Sequence, residues 1–254
     1  MAESKPDVGF GKKLRGVWLD SALEYAASGK SFDEVRQELA ASVAAYNSGP
    51  EAIRKVLSSV KRVWFSPPAH CVPLRDAALH LFRANHSADS RRLLNWGMSI
   101  ASYPFVGACA EGLGRLLRLQ ADVKACDLER RVEERFGDRE FVRRIARYNI
   151  SSFLDWGVIK HGTKAGTYVL GRQCIPKSRE QTAWLVEAVL RASGVSQMTI
   201  RQLASHPMLF AFKIEGTLAG TLDANSRLAV RRESLADEAV LLRDLECRQT
   251  RKGS

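Results

Sequence analysis

Residues 139–170, REFVRRIARYNISSFLDWGVIKHGTKAGTYVL, read as a long helix, a short strand, a glycine-containing tip and a returning strand. Val142, Ile145, Ala146, Ile150, Phe153 and Leu154 recur at spacings of three and four, which lays one apolar stripe along a helix. The other side carries Glu140, Arg143, Arg144, Arg147 and Ser151, with Arg139 and Tyr148 at its edges. Asp138, after the turn residue Gly137, is the expected N-cap, and Gly157 the expected stop. Val158-Ile159-Lys160 then predicts a strand, residues 161–166 a turn, and Thr167-Tyr168-Val169-Leu170 the return strand. A basic helix running straight into a basic β-hairpin is the arrangement of the reading helix and wing in a winged helix-turn-helix.

The residue types fit phosphate chemistry. The planar fork of arginine can grip a phosphate or a guanine edge with two bonds, and a helix fits the major groove. Arg143, Arg144 and Arg147 are the expected groove residues, while Lys160 and Lys164 on the hairpin would meet backbone phosphates as point charges. Arginines on a helix can equally be a solvated face; the attached hairpin is what favours nucleic acid.

Working outward, Val123 is a candidate first strand, and Asp127 the expected cap of a helix running to Phe136. Helices are expected over 91–103 and 105–119, separated at Pro104 and rich in core-type residues such as Trp96, Met98 and Phe105. Upstream, Ser31-Phe32-Asp33-Glu34 has capping-box spacing and predicts a helix from Phe32 to about Ala44. Asn47-Ser48-Gly49-Pro50 is a turn into a second helix ending near Phe65. That pair resembles a further helix-turn-helix, with Arg54, Lys55, Lys61 and Arg62 as candidate DNA contacts. A short helix is expected over Val17–Ala27, another over Asp76–Ala84, and residues 1–15 read as a mobile arm. Asn85–Ser90 reads as a linker.

Downstream, Ser178 should cap a helix to about Ala192, with Gly194 as its stop, followed by a short helix over 199–205. Leu209–Ile214 is expected to pair as a strand with Arg227–Arg231, and Arg248–Ser254 to form a frayed basic end. The expected fold class is mainly α (α+β). A helical helix-turn-helix-like region at 1–86 precedes a winged helix-turn-helix domain at 87–171 and a small α+β region at 172–254. The last region fits either a degenerate winged domain or a packing module.

Composition sets outer bounds. The chain has 254 residues, 45% hydrophobic and 26% charged, an ordinary globular make-up with apolar surface enough for a core. A net charge of +11 favours polyanionic partners, and since the excess is spread along the chain, any binding face must come from folding. The cysteines (Cys71, Cys109, Cys126, Cys174, Cys247) are odd in number and lack metal-ligand spacing, so reduced thiols, no metal and no cofactor are expected. Neither a membrane span nor a secretion segment is expected, which points to the cytoplasm. No phosphate-binding glycine loop, HExxH pattern or nucleophile elbow is present; His70-Cys71 and His206 read as loop or structural residues, and His161 on the wing as either a phosphate contact when protonated or a plain turn residue, so no enzyme is expected. Acidic Glu129, Glu133 and Glu134 are expected to pair along their own helix with Arg130, Arg131 and Arg135.

The segments GVWLDSALEYAASGKSFDEVRQEL (16–39), SGPEAIRKVLSSVKRVW (48–64), RRLLNWGMSIASYPFVGACAEGL (91–113) and ISSFLDWGVI (150–159) follow one another in an order that resembles the BrxA-like proteins. These are small accessory components of bacterial BREX (bacteriophage exclusion) defence systems. The resemblance covers roughly residues 14–172, with the region from Cys174 as an extension beyond the family's compact form. It implies a non-catalytic, sequence-tolerant double-stranded DNA-binding protein acting beside a methyltransferase, an ATPase and a phosphatase-like component, with Arg143, Arg144 and Arg147 as the first positions to carry over. A transcription regulator, a protein-interaction scaffold and an RNA-binding protein remain open as alternatives.

Overall fold

Ser31 Oγ accepts a hydrogen bond from the backbone N–H of Glu34, and the Glu34 carboxylate accepts one from the Ser31 N–H, so the capping box forms as its spacing dictates. The computed structural model that contains it describes residues 9–46, 49–137, 139–232 and 238–243. Among the described residues the protein is mainly helical, with two three-stranded sheets. The first helices are α1 (Gly16–Ala27), α2 (Phe32–Ala44), α3 (Pro50–Trp64) and α4 (Val72–Ala84), followed by α5 (Ala88–Ser102) and α6 (Pro104–Leu119). Strand β1 (Val123–Lys124), α7 (Ala125–Phe136), α8 (Glu140–Asp155), β2 (Ile159–His161) and β3 (Thr167–Leu170) complete the middle of the chain. The last part holds α9 (Arg179–Ser193), β4 (Gln197–Thr199), α10 (Ile200–Ala204), β5 (Leu228–Arg232) and β6 (Glu238–Leu242).

Two stretches share one connectivity. In α6–β1–α7–α8–β2–β3 the sheet order is β1-β3-β2, with Val123 opposite Tyr168 and Lys160 opposite Val169. In α9–β4–α10–β5–β6 the order is β4-β6-β5, all antiparallel, with Met198 and Val230 both opposite Val240. Each stretch is a helix, an edge strand, a helix and a hairpin whose second strand lies centrally. The second lacks an α8. In that position the chain makes short 3-10 turns at Pro207–Leu209, Leu218–Gly220 and Leu222–Ala224.

One buried cluster runs from Phe10 to Leu242 and includes residues from all three stretches divided at 86/87 and 171/172. Helix α5 is buried at every position from Leu93 to Ser102, and α9 from Gln181 to Arg191. They cross at Gly97, where an added Cβ would sit 2.4 Å from Cζ3 of Trp184; the missing side chain is what lets the indole through.

Several expectations need correction. Helix α5 starts at Ala88, with Ser87 accepting from the N–H of Ser90, so the stretch read as a linker ends in helix. Helix α4 starts at Val72, ahead of Asp76. The N-cap of α7 is Lys124, and Asp127 lies in the first turn. The N-cap of α8 is Arg139; Asp138 lies outside the described residues, as do Asn47, Ser48 and the basic end from Arg248. Leu209–Ile214 is no strand. Phe210 and Phe212 instead pack their rings against Trp96 at centroid distances of 5.3 and 6.3 Å, and only Phe212 makes a bridge, to Cys174. The partner of β5 is β6. Residues 9–15 are docked: Phe10 and Leu14 are fully buried, the Leu14 N–H donates to Ser152 Oγ (2.8 Å), and Trp156 Nε1 donates to the Leu14 carbonyl (2.9 Å).

Candidate nucleic-acid interface

Gly157, at φ +68°, closes α8: its N–H reaches the Leu154 carbonyl (3.0 Å) and the Val158 N–H reaches Phe153 (3.1 Å), a Schellman ending. That turn aims the chain directly into β2 and the hairpin. The tip is held by Thr167, whose hydroxyl donates to the Lys164 carbonyl (2.7 Å) and whose own carbonyl accepts from Gly162 N–H (2.9 Å). Lys160 and Lys164 both stand exposed on this hairpin, and Arg139 is exposed at the start of α8.

On α8 the apolar stripe lies inward, with Val142, Ile145, Ala146, Ile150 and Phe153 buried and Leu154 partly so, joined by buried Asn149 and Ser152. The outward arginines diverge. Arg143 pairs with Glu133 of α7, and Arg147 grips Glu129 with two bonds, Nε to Oε1 at 2.7 Å and Nη2 to Oε2 at 3.3 Å. The expectation that Glu129 and Glu133 pair along their own helix is therefore corrected. They reach across to α8, while Arg135 stacks on Phe136 and approaches Glu111 at 3.9 Å. The Glu129 carboxylate, by hydrogen bond and charge, holds the Arg147 guanidinium above its already high pKa. Two positive charges are thus offset and aimed, though Arg147 remains largely exposed and its Nη1 is not used by Glu129.

Arg144 leans the other way. Its guanidinium lies 5.6 Å from the ring centre of Phe141, and it lines a cleft of about 450 Å³ together with Tyr148, Arg54 and Lys55 of α3, and Lys12 of the N-terminal segment. The Lys12 ammonium sits 5.5 Å from the Tyr148 ring centre. The fold therefore brings half of the α3 set to the α8 set. It leaves the other half elsewhere. Lys61 rests on the Phe32 ring (5.0 Å), and Arg62 donates to the Ser102 carbonyl at the end of α5 (3.1 Å) while stacking on Tyr103 (4.9 Å). Arg62 is a packing and capping residue.

A second cleft of about 540 Å³ lies between the start of α7, α8 and the hairpin, lined by Lys124, Cys126, Glu129, Arg147, Ser151 and Tyr168 among others. Lys12 and Lys124 are basic residues of these clefts that sequence reasoning missed. Lys12 lay in a segment read as loose, and the clue to its docking was Phe10 and Leu14 at four-residue spacing.

The candidate reactive groups sit in unreactive surroundings. The Cys71 thiol is buried, faces the Ala101 carbonyl (3.3 Å), and is pushed up to about 11 by burial, while neighbouring His70 is exposed. Burial also raises Cys109 and Cys174. His206 is lowered by burial and accepts the Met208 N–H on Nδ1 (3.3 Å). Among the described residues no group of three or more His, Cys, Asp or Glu is placed to hold a metal ion, and no helix is long and apolar enough to cross a membrane. No family model, curated protein or solved structure matches this chain.

Proposed function

We propose that this chain is a non-catalytic, sequence-tolerant double-stranded DNA-binding protein that uses a winged helix-turn-helix, with α8 over the major groove and the β2–β3 hairpin on adjacent phosphates. The observation that carries the reading is the helix–strand–helix–helix–hairpin order, with sheet order β1-β3-β2, in which Arg144 and Arg147 of α8 and Lys160 and Lys164 of the hairpin are each exposed. Charge supports it: at +11 the chain is suited to a polyanion. The order of segments 16–39, 48–64, 91–113 and 150–159 adds the setting, a cytoplasmic accessory role in BREX-like phage defence beside a methyltransferase and an ATPase.

The test is fluorescence-anisotropy binding to random-sequence duplex DNA across a salt series. Wild type is expected to bind with a steep salt slope, and Lys160→Ala/Lys164→Ala to lower that slope by about two, at roughly 0.9 per lost phosphate contact. Absence of binding at low salt defeats the reading.

A second reading is favoured by one particular feature. Phe141 is 45% exposed on α8 between arginines, two of which face carboxylates, a mixed apolar and ionic face suited to a protein partner. A Phe141→Ala variant with unchanged DNA affinity but lost capture of a defence-system component would favour the scaffold.

A further inference from the structure

We infer that the cleft between α3 and α8 is a phosphate-ester site that grips the sugar–phosphate backbone of the same duplex that α8 faces, so that α3 acts as a second clamp alongside the hairpin. This rests on the DNA-binding reading above and adds to it a separate contact with its own residues.

The argument starts from what the fold gathers. Lys12, Arg54, Lys55 and Arg144 come from three segments far apart in sequence, and they line one concave surface. Bringing like charges together opposes folding, and the repulsion is relieved by a bound anion. Among the described residues, the one carboxylate paired with any of the four is Glu51, 2.6 Å from Lys55 and lowered in pKa by Lys55 first and by the charges of Arg54 and Lys12 after it, so a single exposed acid is set against four cations. This contrasts with Arg143 and Arg147 on the same helix, each matched to a carboxylate of α7. The two flanks of α8 are therefore electrically different: each arginine is matched by its own carboxylate toward α7, while toward α3 the cations outnumber their acid.

The positive flank is also built rather than left loose. Phe10 and Leu14, both fully buried, pin the segment that carries Lys12, and an added Cβ on Gly11 would lie 3.6 Å from Lys55 Cδ, so segment and helix are in close register. The Lys12 ammonium is held over the Tyr148 ring. At about 450 Å³ the cleft has the volume of a small-ligand site and suits a phosphate with its attached sugar rather than a lone ion. Arginine supplies two-bond recognition of phosphate oxygens and lysine supplies point charge. Arg144 belongs both to the cleft and to the outer face of α8, which makes the two surfaces continuous and favours a duplex backbone over a free nucleotide.

The experiment compares full-length wild type, Arg54→Gln/Lys55→Gln and Lys160→Ala/Lys164→Ala in the same anisotropy salt series, with circular-dichroism melts to verify folding. Wild type is expected to show a steep slope, and each double variant to lower it by about two. Lysine acylation read by mass spectrometry gives an independent measure, with duplex expected to protect Lys12 and Lys55. If the hairpin variant loses slope and the cleft variant keeps it, the clamp is overturned while DNA binding stands. If wild type shows no salt-dependent binding, the DNA reading fails and the clamp with it. Protection of Lys12 and Lys55 by ATP or inorganic pyrophosphate, with none by duplex, overturns the assignment to a backbone and gives the cleft to a free phosphate compound.

Discussion

His206 illustrates how a residue without a reactive setting can still report on the fold. Its Nδ1 accepts the Met208 N–H, so the folded chain needs that nitrogen unprotonated, and burial depresses its pKa below the ordinary histidine value of 6.5. The unfolded chain takes up a proton near that value and the folded chain resists it. The stabilisation is therefore present above about pH 6.5 and is lost as pH falls through and below it. Urea unfolding at pH 7.5 and pH 5.5 should show wild type losing stability at the lower pH, and His206→Asn, which keeps an acceptor in the cap, losing less. Equal losses in the two proteins would assign the pH dependence to other groups. At the same scale, the arginines of α8 are chemically alike in sequence and unlike in the fold. Arg143 and Arg147 are held by carboxylates, while Arg144 faces a cationic cleft.

Among elements, α9 shows why the region after Cys174 is integral to the molecule. The Glu187 carboxylate is fully buried in mid-helix, where it accepts from Arg191 (2.9 Å), Asn225 (2.7 Å) and Arg227 (2.7 Å). Arg191 in turn donates to the His70 carbonyl (2.6 Å), so one carboxylate ties α9 to the start of β5 and to the turn before α4. Removing one partner of a buried pair leaves the other charged and unmatched, so Glu187→Ala should cost about 3–5 kcal/mol in urea unfolding, while an exposed control such as Glu238→Ala should cost under about 0.5 kcal/mol. A loss below about 1 kcal/mol would mean that the network holds nothing. Elements governed by local rules were legible in sequence. The α2 cap, the Gly157 stop, the three short strands of the first sheet and α9 between Ser178 and Gly194 all follow from capping residues, glycine and periodicity. Where tertiary contacts override those rules, the reading failed. Leu209–Ile214 has strand-like composition, yet Phe210 and Phe212 are both taken by Trp96. Strand β6, EAVLL, drew no expectation from sequence, and it is central because β4 and β5 flank it.

For the whole molecule, the buried cluster that runs from Phe10 to Leu242 predicts one cooperative unit. Urea transitions followed by tryptophan fluorescence and by far-ultraviolet circular dichroism should coincide, because Trp18, Trp64, Trp96 and Trp184 lie in that one cluster. Separate midpoints would show that the stretches before and after residue 171 unfold independently. Local rules were enough for the mainly helical class, the Gly157 end of α8, the hairpin that follows and the inward face of that helix, since caps, glycines and apolar period act over a few neighbouring residues; the start of α8, expected after Asp138, follows Arg139. The site was only half legible for the same reason: Arg54, Lys55, Arg144 and Tyr148 were visible singly, but their shared cleft, and the place of Lys12 in it, were not. Which charges meet is set by the folded chain alone. An ion pair or a cationic cleft depends on distances between segments that lie far apart along the chain, and α7, α3 and the docked N-terminal segment set those distances around α8.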